Sequence, residues 1–147
     1  MSTVLLPITL VSAGAMALVN VWLGYRVGQV RTAEKVSVGD GGNERVIRRM
    51  RAHANFAEYA PFVLALVGLI EFTSGTSTWL AVVAGLFVVA RIVHGIGMDG
   101  RGQGRTIGTI VTLLTLAGLG LYAIVLPLIA DRGSVPSAPV PPALARG

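Results

Sequence analysis

The sequence predicts an all-α integral membrane protein built as a bundle of four transmembrane helices. Three observations predict it. Of the 147 residues, 53% are hydrophobic and 13% are charged, with a mean hydropathy of +0.72, whereas roughly 25% of the residues in a soluble domain are charged. Four stretches are long and apolar enough to cross a hydrocarbon core of about 30 Å at roughly 1.5 Å per residue. None of them shows the period-two alternation of a barrel strand, and the hydrophobicity also excludes a disordered chain.

The first span, about residues 4–25, contains no charge. Nothing basic precedes it and Asn20-Val21-Trp22-Leu23 is a poor small-residue cleavage site, so a retained helix is expected over a cleaved signal peptide. The second span, about 50–72, carries Glu58 and Pro61; a proline there should free a backbone carbonyl one turn back and kink the helix. The third, about 79–98, carries Arg91, and the fourth, about 106–130, carries no charge. Gly39-Asp40-Gly41-Gly42 predicts a turn in the first connection and lacks the spacing of a phosphate cradle. Residues 131–147, with Pro136, Pro139, Pro141 and Pro142 among Ser and Ala, predict a disordered tail, which leaves 1–130 as the membrane domain.

The formal net charge is +5, and the positions of the cations explain most of it. Arg26, Arg31, Lys35, Arg45, Arg48, Arg49 and Arg51 fall around the first connection; Arg91, Arg101 and Arg105 fall around the third. The second connection, 71–78, has no cation, so ten of the twelve basic residues lie on one side. The positive-inside rule then puts the first and third connections in the cytoplasm and both termini outside it. With no soluble module to carry a basic patch interleaved with aromatics, nucleic acid is not an expected partner. Eleven arginines against one lysine suggest a GC-rich genome, and hence a bacterial inner membrane. No cysteine is present, so any thiol chemistry must use a thiol that the substrate brings. His53 and His94 fall on different predicted helices without a ligand cluster, and no metal site is expected.

The polar residues inside the spans are the informative ones. At about 100° per residue, Arg48, Arg51, Asn55 and Glu58 fall within an arc of about 80°, a polar stripe entering the bilayer. Glu58 lies about 10 Å beyond Arg51 along the helix axis, where a lipid-exposed carboxylate is costly. Helix three carries a second stripe, Arg91, His94 and Met98. If the stripes face each other they enclose a polar cavity open to the cytoplasmic side, rimmed by Arg31 and Arg105. Arginines pair bidentately with carboxylates, and a carboxylate beside an amide suits an ammonium, so the cavity fits a small peptide with two carboxylates and one amine. A packing reading stands beside it: Glu58 pairs with Arg91 and Asn55 joins helices. His53 lies off the stripe and is expected to pack helices. Trp22 and Trp79 are expected as interface anchors. The small residues of helix four, Gly108, Thr112, Thr115, Ala117, Gly118 and Gly120, allow close helix approach, within the chain or between chains.

Arg51-Ala52-His53-Ala54-Asn55-Phe56-Ala57-Glu58-Tyr59-Ala60-Pro61 resembles the signature of the MAPEG family, the membrane-associated proteins in eicosanoid and glutathione metabolism. Gly28-Gln29-Val30-Arg31, Arg91-Ile92-Val93-His94 and Arg105-Thr106 are similar to its other recurring elements, in order over about residues 4–130. The resemblance implies a homotrimer that binds glutathione as co-substrate between subunits near the cytoplasmic side. By position, Arg31, Arg51, Asn55, Glu58, Arg91 and His94 would shape the site, with Asn55 and Glu58 at the γ-glutamyl end and the arginines at the carboxylates. Arg105 and Thr106 would be catalytic, stabilising the thiolate that attacks a hydrophobic electrophile. Two departures stand out: Ala54 replaces an arginine of the eicosanoid enzymes, and Met98 replaces a frequent tyrosine, which places the chain nearer the small bacterial branch. Two other readings remain open from the residues: a non-catalytic membrane protein of the same architecture, and a small transporter subunit with a Glu58/Arg91 relay.

Overall fold

The computed structural model describes residues 4–100 and 102–130. The tail expected at 131–147 and the side chain of Arg101 lie outside the described residues. Four helices form, α1 (Pro7–Ala33), α2 (Glu44–Ser74), α3 (Thr78–Gly97) and α4 (Gly104–Ala130), with no strand among the described residues. All four are long and apolar enough to cross a membrane. At the first connection, α1 and α2 both run well past the apolar stretches. Arg, Gln and Glu are good helix formers, and the hydrogen-bond ladder has no reason to stop where lipid gives way to water.

The helix ends show how the polar sequence at the margins is used. At α2, the Asn43 side chain accepts hydrogen bonds from the Arg45 and Val46 amides at 2.9 and 3.3 Å, with Glu44 in the first turn favouring the positive end of the helix dipole. The turn before it is built on Gly39, Gly41 and Gly42, all with positive φ. Glu34 closes this connection by accepting from Asn43 and Arg45. α1 starts with Pro at its first turn and has no side-chain cap of its own. Its free amides are met from another helix: Ile8 and Thr9 donate to the Glu71 carboxylate at 3.0 and 2.8 Å, and the Thr9 and Thr76 hydroxyls donate at 2.7 and 3.0 Å. α2 continues through Pro61 without interruption.

α1 packs on α2 and α3 on α4; α1 also meets α3, α2 meets α4, and α2 approaches α3 across the middle. The core runs through Met16, Val19 and Leu23 of α1, Val63, Val67 and Ile70 of α2, Leu80, Ala84 and Phe87 of α3, and Leu119 of α4. Where α3 and α4 cross, side chains are excluded. A Cβ on Gly108 would stand 2.5 Å from His94 Cβ and 2.7 Å from the Ala90 carbonyl oxygen, and one on Gly97 would overlap the backbone of Gly104 and Arg105. The small residues of helix four therefore divide. Gly108 and Thr112 serve this crossing inside the chain, whereas nothing lies within 4 Å of a Cβ built on Gly118 or Gly120. The remaining large side chains of α4, among them Ile110, Leu114, Leu121 and Ile124, point outward and suit lipid or another subunit.

Candidate functional site

Asn55 and Arg91 are brought together. Arg91 is fully buried on α3; its Nη2 donates to Asn55 Oδ1 of α2 at 2.8 Å and its Nη1 to Thr112 Oγ1 of α4 at 3.1 Å. One guanidinium thus bonds to two neighbouring helices, with the Phe56 ring centroid 6.0 Å away. Glu58 does not share this knot: it stands exposed on α2, as does Arg51. Helix geometry accounts for the split. Viewed down α2, the buried Ala52 and Phe56 lie about 60° and 100° to one side of Asn55, and Arg51 and Glu58 about 40° and 60° to the other. Asn55 is therefore the hinge between core and stripe. The expected pairing of Glu58 with Arg91 is replaced by Asn55 and Thr112, and among the described residues the hydrogen bond that joins the two stripes is the one at Asn55.

The other expected residues sit at the same end of the bundle. Arg31, in the last turn of α1, places Nη2 3.4 Å from Met50 Sδ, and its Nε is buried with no partner among the described residues. His94 is buried, with Nδ1 3.2 Å from the Arg105 carbonyl oxygen and 3.3 Å from the Thr109 hydroxyl, and so ties α3 to the first turn of α4. Arg105 and Thr106 are exposed in that turn. Met98 packs against the core cluster. His53 packs helices, its Nε2 lying 2.8 Å from Asn20 Oδ1 on α1. Trp22 lies beneath the Arg26 guanidinium, 4.7 Å from it, and Trp79 makes an edge contact with Tyr122 at 5.0 Å.

A cluster not expected from the sequence lies beside this site. Asp99, just past the end of α3, takes Arg26 Nη2 at 2.5 Å, Arg49 Nε at 3.1 Å and Arg49 Nη2 at 3.3 Å. Burial pushes the Asp99 carboxyl up, but the hydrogen bonds and charges of Arg49 and Arg26 outweigh it and hold the group below the usual carboxylate range. Arg26 and Arg49 therefore do more than set topology. The signal available in the sequence was Asp99 itself, an isolated acid among the cations of the third connection.

An apolar groove of about 320 Å³ between α1 and α2 is lined by Met16, Ala17, Asn20, Phe56, Ala57 and Pro61, and it opens on the side of the bundle. Polar, partly unpartnered arginines at one end of the helices and apolar grooves along them can together accept an anionic molecule and a hydrophobic one.

No curated protein matches the chain. The family model described as MAPEG family matches residues 9–125, a stretch that includes parts of all four helices. The chain therefore belongs to the MAPEG family, as a multi-pass membrane protein of the family of glutathione transferases and eicosanoid metabolism.

Proposed function

We propose that the protein binds glutathione, or a thiol of the same charge pattern, and joins it through its sulfur to hydrophobic electrophiles, or lets two such thiols reduce a lipid hydroperoxide to the alcohol and water while they become a disulfide. The site lies between subunits of a homotrimer at the cytoplasmic side of a bacterial inner membrane, with both termini on the opposite side. The observation that carries this reading is the exposure of Glu58 and Arg51 on the flank of Asn55, within a membrane-spanning helix. A carboxylate facing lipid is expensive, and a neighbouring subunit with a zwitterionic peptide would supply its partners. Glu58 and Asn55 would take the ammonium, while Arg31, Arg51 and Arg105 would take carboxylates and thiolate. In conjugation the thiol proton is lost, the sulfur pair forms a C–S bond, and the leaving group departs with its electrons; Arg105 and Thr106 would stabilise the thiolate.

Calorimetric titration of glutathione into the purified full chain, with Glu58→Gln as control, tests binding. Conjugation of an aryl halide, with Arg105→Ala as control, tests transfer. Binding without conjugation supports a second reading, a non-catalytic member of the family. Its motivating observation is Met98, a core-packed thioether that offers no hydroxyl to the site.

A further inference from the structure

The cluster around Asp99 joins three helices at a point where the chain is about to begin α4. Arg49 of α2 grips the Asp99 carboxylate through two nitrogens and donates Nη1 to the Arg26 carbonyl at 3.0 Å. Arg26 of α1 donates Nη2 to Asp99 and Nη1 to the Gly95 carbonyl at 2.7 Å. The Gly95 carbonyl is free for this because the Asp99 amide turns instead to Ile96. Arg26 thus caps the negative end of α3 from another helix, and Asp99 supplies the counter-charge. The space is made by Gly95, where a Cβ would stand 2.9 Å from Leu23, 3.0 Å from Trp22 and 3.2 Å from Arg26 Nη1. The Arg26 and Asp99 side chains are 10% and 25% exposed, and the two-armed grip of Arg49 makes a network, the circumstance in which ion pairs fix geometry rather than merely decorate a surface.

The last turn of α3, held in this way, is itself in contact with the first turn of α4. Gly97 lies so close to Gly104 and the Arg105 amide that a Cβ on Gly97 would overlap them, a Cβ on Gly104 would stand 2.9 Å from the Val93 carbonyl oxygen, and His94 Nδ1 meets the Arg105 carbonyl. A mechanical path therefore runs from Arg26 and Arg49 through Asp99 and the end of α3 to the backbone of Arg105.

We infer that Asp99 is a positioning residue: clamped by Arg26 and Arg49, it sets the place of the Arg105 backbone, and with it the guanidinium that would face the thiol. This rests on the reading of Arg105 given above, but the clamp itself can be tested apart from it. The reason for such a device is steep geometric dependence, since a misplacement of about 1 Å at a reacting group costs up to roughly 100-fold in rate.

The test compares the full chain with its Asp99→Asn variant in detergent, by hydrogen exchange and by glutathione titration. Amides 107–110, the first bonded amides of α4, are expected to exchange faster in the variant, while those at the centre of α4 keep their protection. Glutathione affinity is expected to persist while the ultraviolet absorbance of bound thiolate falls and its apparent pKa rises. Arg49→Lys keeps the charge without the fork; it should show the same pattern more weakly, and it replaces Asp99→Asn if that variant does not fold. Unchanged exchange at 107–110 overturns the clamp. Faster exchange with an unaltered thiolate signal overturns its link to Arg105. A wild-type chain that binds no glutathione, yet shows the exchange difference, removes the proposed function and with it the role toward the thiol, leaving the clamp standing.

Discussion

Arg91 Nη2 donates to Asn55 Oδ1 at 2.8 Å, and this bond holds a fully buried guanidinium at the junction of α2, α3 and α4. A polar asparagine inside a membrane span is thereby accounted for within a single chain. The neighbouring Glu58 and Arg51 are not: both stand exposed on α2, which is what the proposed site would use.

Asn55→Leu should therefore destabilise the protein, because it strands a buried donor. A hydrogen bond to a charged group contributes about 1.5–3 kcal/mol, and a loss of that order should appear in thermal unfolding in detergent. Adding Arg91→Met should restore part of it, since removing both partners leaves no orphaned charge. A double variant less stable than Asn55→Leu would contradict this account.

Glu71 accepts from Ile8, Thr9 and Thr76 and so caps α1 from the far end of α2. Glu71→Gln turns an amide NH₂ toward these donors and should cost about 2 kcal/mol or more. Hydrogen exchange should locate the damage at amides 8 and 9 and leave the opposite end of the bundle, around Asn43 and Gly104, unchanged. Uniformly faster exchange would mean that the cap is not local.

The Asp99 clamp carries a definite pH signature. Because Arg49 and Arg26 outweigh burial, its folded pKa lies below its unfolded value, near 3.9 for an ordinary aspartate. Its stabilisation is then fully present above that value and is lost as pH falls through the folded pKa. The difference in melting temperature between wild type and Asp99→Asn should be constant from pH 8 to about 5 and shrink below roughly pH 4. A difference that shrinks between pH 8 and 6 would assign the effect to another group.

Gly108 and Gly118 should respond unequally to the same change. A Cβ at Gly108 meets His94 and Ala90 below 3 Å, while one at Gly118 meets nothing within 4 Å. Gly108→Val should therefore cost at least about 1–3 kcal/mol by overpacking, and Gly118→Val should leave unfolding of the isolated subunit nearly unchanged. If Gly118→Val instead weakens self-association, as followed by sedimentation in detergent, that face of α4 lies between subunits.

Legibility from the sequence differed by residue. The four spans were plain because lipid demands uninterrupted apolar length, and Arg91 and Asn55 stood out as polar residues where hydrocarbon penalises them. His53 was legible as a packing residue from its angle to the stripe. Glu71 stands at the margin of a span, where an acid calls for no special explanation. Its partners, Thr9 and Ile8, lie more than sixty residues earlier, and no local pattern joins them.

The sequence by itself determined the number of helices, the side on which the cations gather and the set of polar residues that need an explanation, because each follows from local length, charge and a 100° turn per residue. The tertiary structure decided which of those residues satisfy one another. Arg91 chose Asn55 and Thr112 over Glu58, Arg26 and Arg49 converged on Asp99, and Glu71 closed on α1, because a buried polar group must find its partner across helices. Those pairings depend on how the four helices are placed, and composition and periodicity say nothing about that placement.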